Sequence, residues 1–443
     1  MLTPDNIISV LPPQTERVII AYSGGIDSHV LLHLAASISD IKSKITAIYV
    51  HHGLQSDADL WEKHCEAVCL ALNVRYKCLK VNAQKVVGQS PEEVARDQRY
   101  QAFKKIVANN DVLLLAQHRE DQMETVLLQL FRGAGVQGLS GMPLSIAFGH
   151  GLMCRPFLDV PKQLINEYAD ENQLCWVEDP SNKSNDFDRN LLRNQILPQL
   201  KKRWPALDKT IARSARHCAT SHELSQDIAQ KLLNSVCDKA DETLSISQLL
   251  ELEVNKQQLV IRQWFTNQCL RMPSEKMLQR IINEVVAAKQ SANPMVQGRD
   301  YCIRRYRDKL YCLKEFYDDQ LLQEKKWPTS LKQLGLGGGQ VLAVKDAAEG
   351  ILKELWDNSE VSVRFRKGAE KISLPGRRGH HTLKNLFQEK AIPPWERNNI
   401  PLIYLNDDLA AVTGLWISAD FYSIDSGPCY QILLLKKQQK TEK

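Results

Sequence analysis

The sequence predicts an α/β protein in which a parallel-sheet domain precedes a mainly α-helical domain and a small α+β C-terminal domain. Three observations support this order: apolar runs alternate with amphipathic stretches in the first third, helical periodicity dominates after residue 186, and alternating apolar runs return near the C-terminus. Of the 443 residues, 43% are hydrophobic and 25% are charged, which is the composition of a folded protein. At roughly 150 residues per domain, this length accommodates about three domains.

The first third contains four short runs rich in Val, Ile and Leu, at 17–22, 45–50, 75–81 and 111–116, and each precedes a stretch with helical spacing. Strands separated by helices indicate βαβ units and a Rossmann-like parallel sheet with helices on both faces. Such sheets bind ligands at the carboxyl ends of their strands. The loops that follow these four runs are therefore where we expect the chemistry.

Helical periodicity covers 211–218, 223–236, 249–270 and 276–288, and it predicts the second domain. Pro, Ser and Gly concentrate at 327–340, which predicts loops or a domain junction.

The last hundred residues contain alternating runs at 361–365 and 412–417 around one short helix predicted near 382–389. This pattern favours a small α+β domain. We place the three domains at 1–215, 216–335 and 336–443.

Composition excludes several classes of protein. The longest apolar stretches, such as 112–116 and 432–435, are far shorter than the roughly 20 residues of a membrane span. The first 14 residues lack the basic start and apolar core of a secretory signal, so we expect a cytoplasmic protein. Eleven scattered cysteines suit reduced thiols better than disulfides.

A glycine pair follows the first predicted strand, in Tyr-Ser-Gly-Gly-Ile-Asp-Ser at residues 22–28. A strand, two glycines and a helix start place several backbone N–H groups at one point, which is an anion site. Asp27 would repel phosphates unless a cation such as Mg²⁺ lies between them. The Lys of a Walker A loop is missing. A plain glycine turn with a capping Ser or Asp is the alternative.

A second acidic site begins at His118, where a buried strand leads into a helix. His118 and Asp121, and Asp121 and Glu124, are three residues apart and share a helix face. This end faces the same sheet edge as Asp27, so Asp121 is the predicted second Mg²⁺ ligand, and His118 is predicted to bind phosphate or move a proton. The alternative makes Asp121 and Glu124 acids that favour the helix dipole and His118 a surface residue.

The sequence SGGIDS resembles the SGGxDS signature of the PP-loop ATP pyrophosphatases. This resemblance implies cleavage of ATP between its α and β phosphates, with an adenylated intermediate. The ATP-binding residues that it implies are Ser23, Gly24, Gly25, Ile26, Asp27 and Ser28.

Further motifs, in order along the chain, resemble the tRNA(Ile)-lysidine synthetases. They cover most of the chain except its helical middle. They comprise VHHGL at 50–54, EVARDQRY at 93–100, the His118–Thr125 helix, EDPSN at 178–182, Arg189, Asn190, Arg193, LKNLFQE at 383–389 and IPPWER at 392–397.

This resemblance implies a ligase that forms a carbon–nitrogen bond. The enzyme adenylates the wobble cytidine of the minor tRNA(Ile) with a CAU anticodon and joins free L-lysine to carbon 2, which gives lysidine, AMP and pyrophosphate. The codon preference changes from AUG to AUA, and the identity from Met to Ile. The expected cofactors are ATP and Mg²⁺, with Asp27 and Asp121 as metal ligands. A homodimer is left open.

Free lysine, with a pKa of about 10.4, pays about 4.6 kcal/mol to become neutral at pH 7, so a base is needed. The candidates are His118, Glu124, Glu93 and Glu178, and the sequence does not rank them. Catalysis is assigned to Asp27, His118, Asp121 and Glu124.

Guanidinium groups hold phosphates or a carboxylate in a bidentate fork. The candidate substrate-binding residues are therefore Arg96, Arg99 and Arg193, together with Glu93. Surface ion pairs, for example between Glu92 and Arg96, are the alternative.

Two basic segments, 299–314 and 361–390, carry net charges of +4 and +6. Basic groups bind phosphates, and the tyrosines of the first segment are suited to stack on unpaired bases. A solvated face is the alternative. The candidate tRNA-binding residues are Arg304, Arg305, Arg366, Arg377, Arg378, Lys384 and Arg397.

Three other functions would each place a different requirement on the sequence. Thiolation of tRNA by another PP-loop protein needs paired cysteines, but the chain has no CxxC, and Cys65 and Cys69 lie four apart on a helix. An amide-forming ligase such as a GMP or asparagine synthetase would bring a glutaminase cysteine. A non-catalytic tRNA-binding protein would not need Asp27 and Asp121.

The net charge of +5 is unevenly distributed. Residues 1–180 carry 16 basic and 21 acidic side chains, whereas residues 181–443 carry 41 and 31. An acidic catalytic body suits Mg-ATP and a cationic amino acid, while a basic remainder suits a polyanion such as tRNA.

Overall fold

A computed structural model describes residues 1–51, 58–81, 91–180, 184–289, 292–314, 323–337 and 339–436. The chain forms two compact units, Met1–Ile228 and Ala229–Lys443. In the described part, no helix has the length and apolar character needed to cross a membrane.

Unit 1 is built on one six-stranded sheet. Its strands are β1 (Arg17–Ala21), β2 (Ile45–His51), β3 (Arg75–Lys80), β4 (Asp111–Leu114), β5 (Ser145–Phe148) and β6 (Gly151–Cys154). They lie in the order β3-β2-β1-β4-β6-β5, and all neighbours are parallel except the β5–β6 pair. The predicted parallel α/β sheet is confirmed, and the four predicted strands begin where β1 to β4 begin.

Helices connect and cover these strands. They are α1 (Asp5–Ile8), α2 (Ile26–Ala36), α3 (Ser39–Lys42), α4 (Ala58–Ala71), α5 (Pro91–Ile106), α6 (Arg119–Phe131), α7 (Val136–Leu139), α8 (Lys162–Glu171), α9 (Asp188–Leu191), α10 (Leu197–Arg203) and α11 (Leu207–Val236). A π-helical segment, Leu192–Ile196, joins α9 to α10.

The sheet buries both of its faces because successive side chains of a strand point to opposite sides. On β1, Val18 and Ile20 pack in one apolar cluster with α2 and α8, whereas Ile19 packs in a second cluster with Phe103 and Val107. The strand order reverses between β1 and β4, so their carboxyl ends flank the crevice where such sheets bind ligands.

The first half of unit 2 packs helices against a small sheet. The helices are α12 (Ile246–Leu250), α13 (Val254–Asn267) and α14 (Glu275–Arg280), which a π-helical segment, Ile281–Val286, extends. The strands β7 (Leu244–Ser245), β8 (Met295–Gln297), β9 (Cys302–Tyr306) and β10 (Lys309–Leu313) lie in the order β7-β10-β9-β8. The mainly helical middle is confirmed, but the sequence prediction missed this sheet because its strands are only two to five residues long.

The second half of unit 2 is an α+β arrangement, as predicted. Its strands are β11 (Lys325–Lys326), β12 (Gln333–Gly337), β13 (Gln340–Leu352), β14 (Val361–Arg364), β15 (Lys371–Ser373), β16 (His380–Thr382), β17 (Leu402–Leu405), β18 (Asp408–Val412), β19 (Trp416–Ile417) and β20 (Tyr422–Lys436), and its helices are α15 (Lys353–Asp357), α16 (Leu383–Glu389) and α17 (Pro394–Arg397). They form three sheets, β11-β14-β17-β18-β19, β12-β13-β20 and β15-β16.

The Gly-rich segment 327–340 was predicted to be loops or a junction, and the structure corrects this. Residues 333–337 form β12, which pairs antiparallel with the start of β13. Backbone pairing with β13 outweighs the weak strand propensity of glycine here.

Candidate active site

The glycine loop lies between β1 and α2 and is closed by its own side chains. The backbone N–H of Ser23 donates to Ser28 Oγ over 3.1 Å, and the two serine hydroxyl oxygens are 3.1 Å apart. The Ser28 hydroxyl donates to the Gly25 carbonyl over 2.9 Å. Gly25 is the extended N-cap of α2, so the first turn of an 11-residue helix faces this loop. Such a first turn offers backbone donors to an anion.

Gly24 is the residue that this backbone requires to be glycine. Its φ of +82° lies in the left-handed region, and a Cβ there would come within 3.1 Å of Cys65 Sγ. The Gly24 carbonyl accepts a hydrogen bond from the Val177 amide over 2.9 Å. The loop therefore packs against Cys65 of α4 and is hydrogen-bonded to the segment around Val177.

The predicted second acidic site meets this loop. His118 is the N-cap of α6, and its amide donates to Asp121 Oδ2 over 3.1 Å. The imidazole Nε2 lies 3.4 Å from Asp121 Oδ2 and 3.9 Å from Asp27 Oδ1. His118 is only 5% exposed, so the alternative of a surface histidine is wrong. Because β1 and β4 are adjacent and parallel, the residues that follow them lie at one edge.

Carboxylates surround His118 and set its charge. Burial alone lowers the pKa of His118, but Glu120, Asp121 and Asp27 outweigh that effect and raise its pKa above that of a free histidine. Burial likewise opposes ionisation of Glu120, yet His118 and the amide of Lys162 lower the pKa of Glu120 to about 2. Glu120 is therefore a fixed negative charge.

Glu124 lies behind Asp121 on the same helix and is only 1% exposed. Arg193 grips it with two hydrogen bonds, Nε to Oε1 at 2.7 Å and Nη2 to Oε2 at 2.8 Å, and also donates to Asp121 Oδ1 over 2.8 Å. Burial raises the pKa of Glu124, and the Arg193 guanidinium opposes that rise. Arg189 Nη2 donates to the neighbouring Thr125 hydroxyl over 2.8 Å. Arg193, predicted to hold a substrate anion, instead binds carboxylates of the chain itself.

Sequence reasoning missed Lys162, which is an ion-pair partner of Asp27. The two residues are 135 positions apart, and Lys162 begins α8 after a proline with no motif around it. Nothing local in the sequence links it to the loop. Arg189 belongs to the motifs that carry the family resemblance, but its position in the sequence does not indicate a role.

A cavity of about 330 Å³ opens beside the glycine loop, within the size range of small-molecule sites. Its polar lining residues include Ser23, Asp27 and Ser28, together with Arg99 and Asp179. Its apolar and aromatic lining includes Ile48, Val50, Trp61, Tyr100 and Phe103.

A second cavity, of about 720 Å³, lies between α5, α6 and α9. Arg96, Arg132 and Arg189 line it together with Asp97 and Asp188. Although Arg96 and Arg99 are only one turn apart on α5, they line two different cavities. The side chain of Glu93 lies outside the described residues, while Glu178 is exposed.

One group of three side chains has metal-ligand spacing within the described ranges. Atoms of His51, Asp59 and Glu62 lie within 4.8 Å of one another near the carboxyl end of β2. His51 Nε2 is 3.0 Å from Asp59 Oδ1, and the Asp59 side chain is 79% exposed. The sequence prediction did not include this group.

The cysteines bear on the thiolation alternative. Cys65 and Cys69 are fully buried, and burial raises the pKa of each thiol to about 12. At neutral pH such thiols hold their protons and are poor nucleophiles. They pack in the apolar core of unit 1, and Cys65 lies next to Gly24 of the glycine loop.

The basic residues predicted to bind tRNA divide into exposed and buried groups. Arg377, Arg378 and Lys384 are exposed, and Arg377 pairs with Glu389 over 2.8 Å. Arg304 and Arg366 are half-buried; Arg304 stacks over the Trp395 ring, with Cζ 5.3 Å from the centroid, and Arg366 Nε lies 3.8 Å from Glu370.

Two arginines have structural partners instead. Arg305 is 8% exposed and donates to the Val286 carbonyl over 2.9 Å, and Arg397 is 6% exposed and donates to the Ile392 carbonyl over 2.9 Å. The expectation that both face RNA is corrected, because their guanidinium groups satisfy buried carbonyls.

The predicted stacking tyrosines differ in their burial. Tyr301 packs on Phe265 with ring centroids 4.8 Å apart and belongs to the core of unit 2, so the expectation that it stacks on a base is corrected. Tyr306 and Tyr311 are half-buried and pack on Trp395 at 6.2 and 5.2 Å, so each already has an aromatic partner.

Comparison with known families matches three parts of the chain. Residues 5–200 match the PP-loop domain, residues 244–311 the TilS substrate binding domain, and residues 361–433 the TilS substrate C-terminal domain.

Curated relatives match over nearly the whole chain. The tRNA(Ile)-lysidine synthase of Methylococcus capsulatus is 38% identical over 93% of this chain and 94% of its own length. That of Photobacterium profundum is 40% identical over 93% and 95%, and that of Coxiella burnetii is 38% identical over 95% and 94%. With the glycine loop and the acidic start of α6 at one sheet edge, these matches show that the chain belongs to the tRNA(Ile)-lysidine synthase family.

Proposed function

We propose that the edge formed by the glycine loop and the start of α6 is where this ligase activates and joins its substrates. As a member of its family, the protein is an ATP-dependent, tRNA-modifying ligase that forms lysidine on tRNA(Ile). One observation carries the assignment of the site: Asp27 and Asp121, from two separate motifs, both lie within 3.9 Å of His118 Nε2.

We assign ATP to the 330 Å³ cavity. Its phosphates would lie beside Ser23, Ser28 and the first turn of α2, which supply donors, and its adenine against Ile48, Val50 and Trp61. Arg99 lines the same cavity and is the guanidinium best placed for a phosphate.

The residue types around Asp27 suit Mg²⁺. Asp27 and Asp121 come from different elements and each lies within 3.9 Å of His118 Nε2, their side chains are 32% and 16% exposed, and hard oxygen ligands are those that Mg²⁺ prefers. When bound, Mg²⁺ would neutralise phosphate charge. Lys162 pairs with Asp27 in the structure and is also within reach of an anion at this point.

The lysine ammonium must lose a proton before it attacks. Glu124 is enclosed by Arg193 and buried, so its role is to position that arginine. Glu120 is too acidic to accept a proton at neutral pH. His118 stands between the two metal-binding carboxylates, and we assign it the proton transfer.

Exposed basic residues of the C-terminal region are suited to hold the tRNA. Arg377, Arg378 and Lys384 are exposed and can reach phosphates, whereas Arg304 and Arg366 are half-buried with their Nε atoms enclosed. Arg305 and Arg397 are left out of this surface because they are buried.

The test is incubation of the full-length protein with radiolabelled lysine, ATP and bulk tRNA. We expect ATP-dependent label in the RNA, with AMP and pyrophosphate released. A parallel sample with a labelled sulfur donor tests thiolation. Label from sulfur but not from lysine would refute the proposal.

A further inference from the structure

Helix α10 and the first turns of α11 present a second basic surface, in unit 1 and outside the segments considered above. We name it the α10–α11 surface, and all of its members are exposed. They are Lys202, Arg203, Trp204, Lys209, Arg213 and Arg216.

The surface is one-sided on α11. Asp208, Ala212 and Ala215 recur at helical spacing and are buried. Lys209, Arg213 and Arg216 lie on a neighbouring stripe and are exposed, and Arg216 Nη1 also lies 3.2 Å from the exposed carboxylate of Asp159. Successive members of this stripe are about 4.5–6 Å apart along the helix axis.

Ion pairs attach this surface to the catalytic edge. Arg119, the first residue of α6, donates to Asp208 over 2.6 Å, and Lys201 Nζ lies 3.3 Å from Glu120. Arg119 and Glu120 directly follow His118. Each of the two helices that carry the α10–α11 surface is therefore joined by one ion pair to the residues that directly follow His118.

The local charge contrasts with that of the surrounding chain. Residues 201–217 contain six basic side chains and one acidic one, Asp208, which Arg119 neutralises. Residues 1–180 are net acidic. An acidic catalytic edge repels RNA, so an RNA that must bring one base to it needs positive charge nearby.

Helix electrostatics account for the basic residues of α10 but not for Lys209 of α11. Basic residues in the last turn of α10 favour its dipole, but Lys209 is the third residue of α11, where a positive charge is unfavourable. Trp204, at the end of α10, is 55% exposed. An exposed indole beside basic groups is the combination that binds unpaired bases and phosphates.

We propose that the α10–α11 surface binds the anticodon stem–loop of the tRNA, with the stripe on α11 at backbone phosphates and Trp204 stacked on an unpaired base. This rests on the proposed function, which brings the wobble base to the adjacent edge.

The test measures binding of a synthetic anticodon stem–loop with a CAU anticodon to the full-length protein, by fluorescence anisotropy at several salt concentrations. We expect Lys209→Glu with Arg213→Glu to raise the Kd at least about tenfold and to reduce the slope of log K against log salt by about two. We expect Trp204→Ala to raise the Kd at least about fivefold with an unchanged slope.

The matched control is Lys104→Glu with Lys105→Glu, two exposed lysines at the other end of the sheet, near the end of α5. It makes the same charge change, and we expect a Kd within about twofold of wild type. If the α11 double variant binds like this control, the inference is refuted. Loss of stem–loop binding by the α11 variant, in a protein that never incorporates lysine, would refute the proposed function and leave this inference standing.

Discussion

Charge balance governs the catalytic edge at the scale of single residues. Asp27 is neutralised by Lys162, Glu120 by Lys201, and Asp121 by Arg193. Each of these three carboxylates thus has a cationic partner before any substrate binds, although Arg193 is shared with Glu124. A substitution that removes one charge leaves its partner without compensation.

Replacing Asp27 by Asn removes the proposed metal ligand but keeps its shape. We expect formation of AMP and pyrophosphate to fall at least about 100-fold, since the phosphate charge is no longer neutralised, while tRNA binding stays within about twofold. Asp40→Asn, which changes an exposed acid in the first turn of α3, is the control. Lysidine formation near the wild-type rate in Asp27→Asn would contradict the loop assignment.

Replacing Gly24 by Ala forces a side chain into a left-handed backbone and against Cys65. We expect a loss of about 1–2 kcal/mol in stability and weaker ATP binding, measured by thermal unfolding and equilibrium dialysis. Gly25→Ala is the matched control, because its φ is −74° and the nearest atom to its added Cβ is 3.7 Å away. Equal melting temperatures for the two variants would contradict the strain argument.

At the scale of elements, β1, β4 and α6 were predictable because their signals are local. Buried apolar runs predict the strands, and the spacing of His118, Asp121 and Glu124 predicts a shared helix face. Contacts between distant segments were not predictable: nothing near Lys162 or Arg193 indicates which carboxylate it binds. The short strands β7 to β10 are stabilised by packing that a sequence pattern does not report.

The link between α6 and the α9–α10 region depends on Glu124. Glu124→Gln removes the buried charge that holds Arg193 and Arg189. We expect the free energy of unfolding to fall by about 2 kcal/mol, which is less than for a fully buried ion pair because the Arg193 side chain is 40% exposed. The apparent melting temperature should fall by about 4–8 °C in a thermal scan.

The control for this variant is Glu167→Gln, an exposed glutamate on α8, which should melt within about 1 °C of wild type. A melting temperature for Glu124→Gln that matches this control would mean that the ion pair does not join the elements.

At the scale of the whole molecule, the two ends of the chain carry opposite charge. The acidic part contains the catalytic edge, and the basic part contains the exposed residues proposed to hold tRNA. The sequence alone predicted this division, because it depends on counts and not on contacts. It did not distinguish exposed arginines from Arg305 and Arg397, which only burial separates.

Charge reversal at Arg378 and Lys384 tests the C-terminal contribution. We expect weaker tRNA binding and a slope of log K against log salt that is lower by about two, with ATP affinity unchanged. Lys367→Glu with Lys371→Glu changes two exposed lysines nearby. This variant shows whether any exposed basic residue of this region contributes as much to tRNA binding as Arg378 and Lys384. An unchanged slope in the first variant would mean that Arg378 and Lys384 belong to a solvated face and do not contact tRNA phosphates.

The pairing of Glu124 with Arg193 also has a consequence for biosynthesis. The glutamate is made 69 residues before Arg193 and also before Arg189, so on a nascent chain it at first has no guanidinium to accompany it into the interior. The inner face of α6 cannot close favourably until α9 and the segment after it have emerged from the ribosome. The catalytic edge therefore matures late, and a fragment that ends before α9 would carry a buried carboxylate without either of its cations.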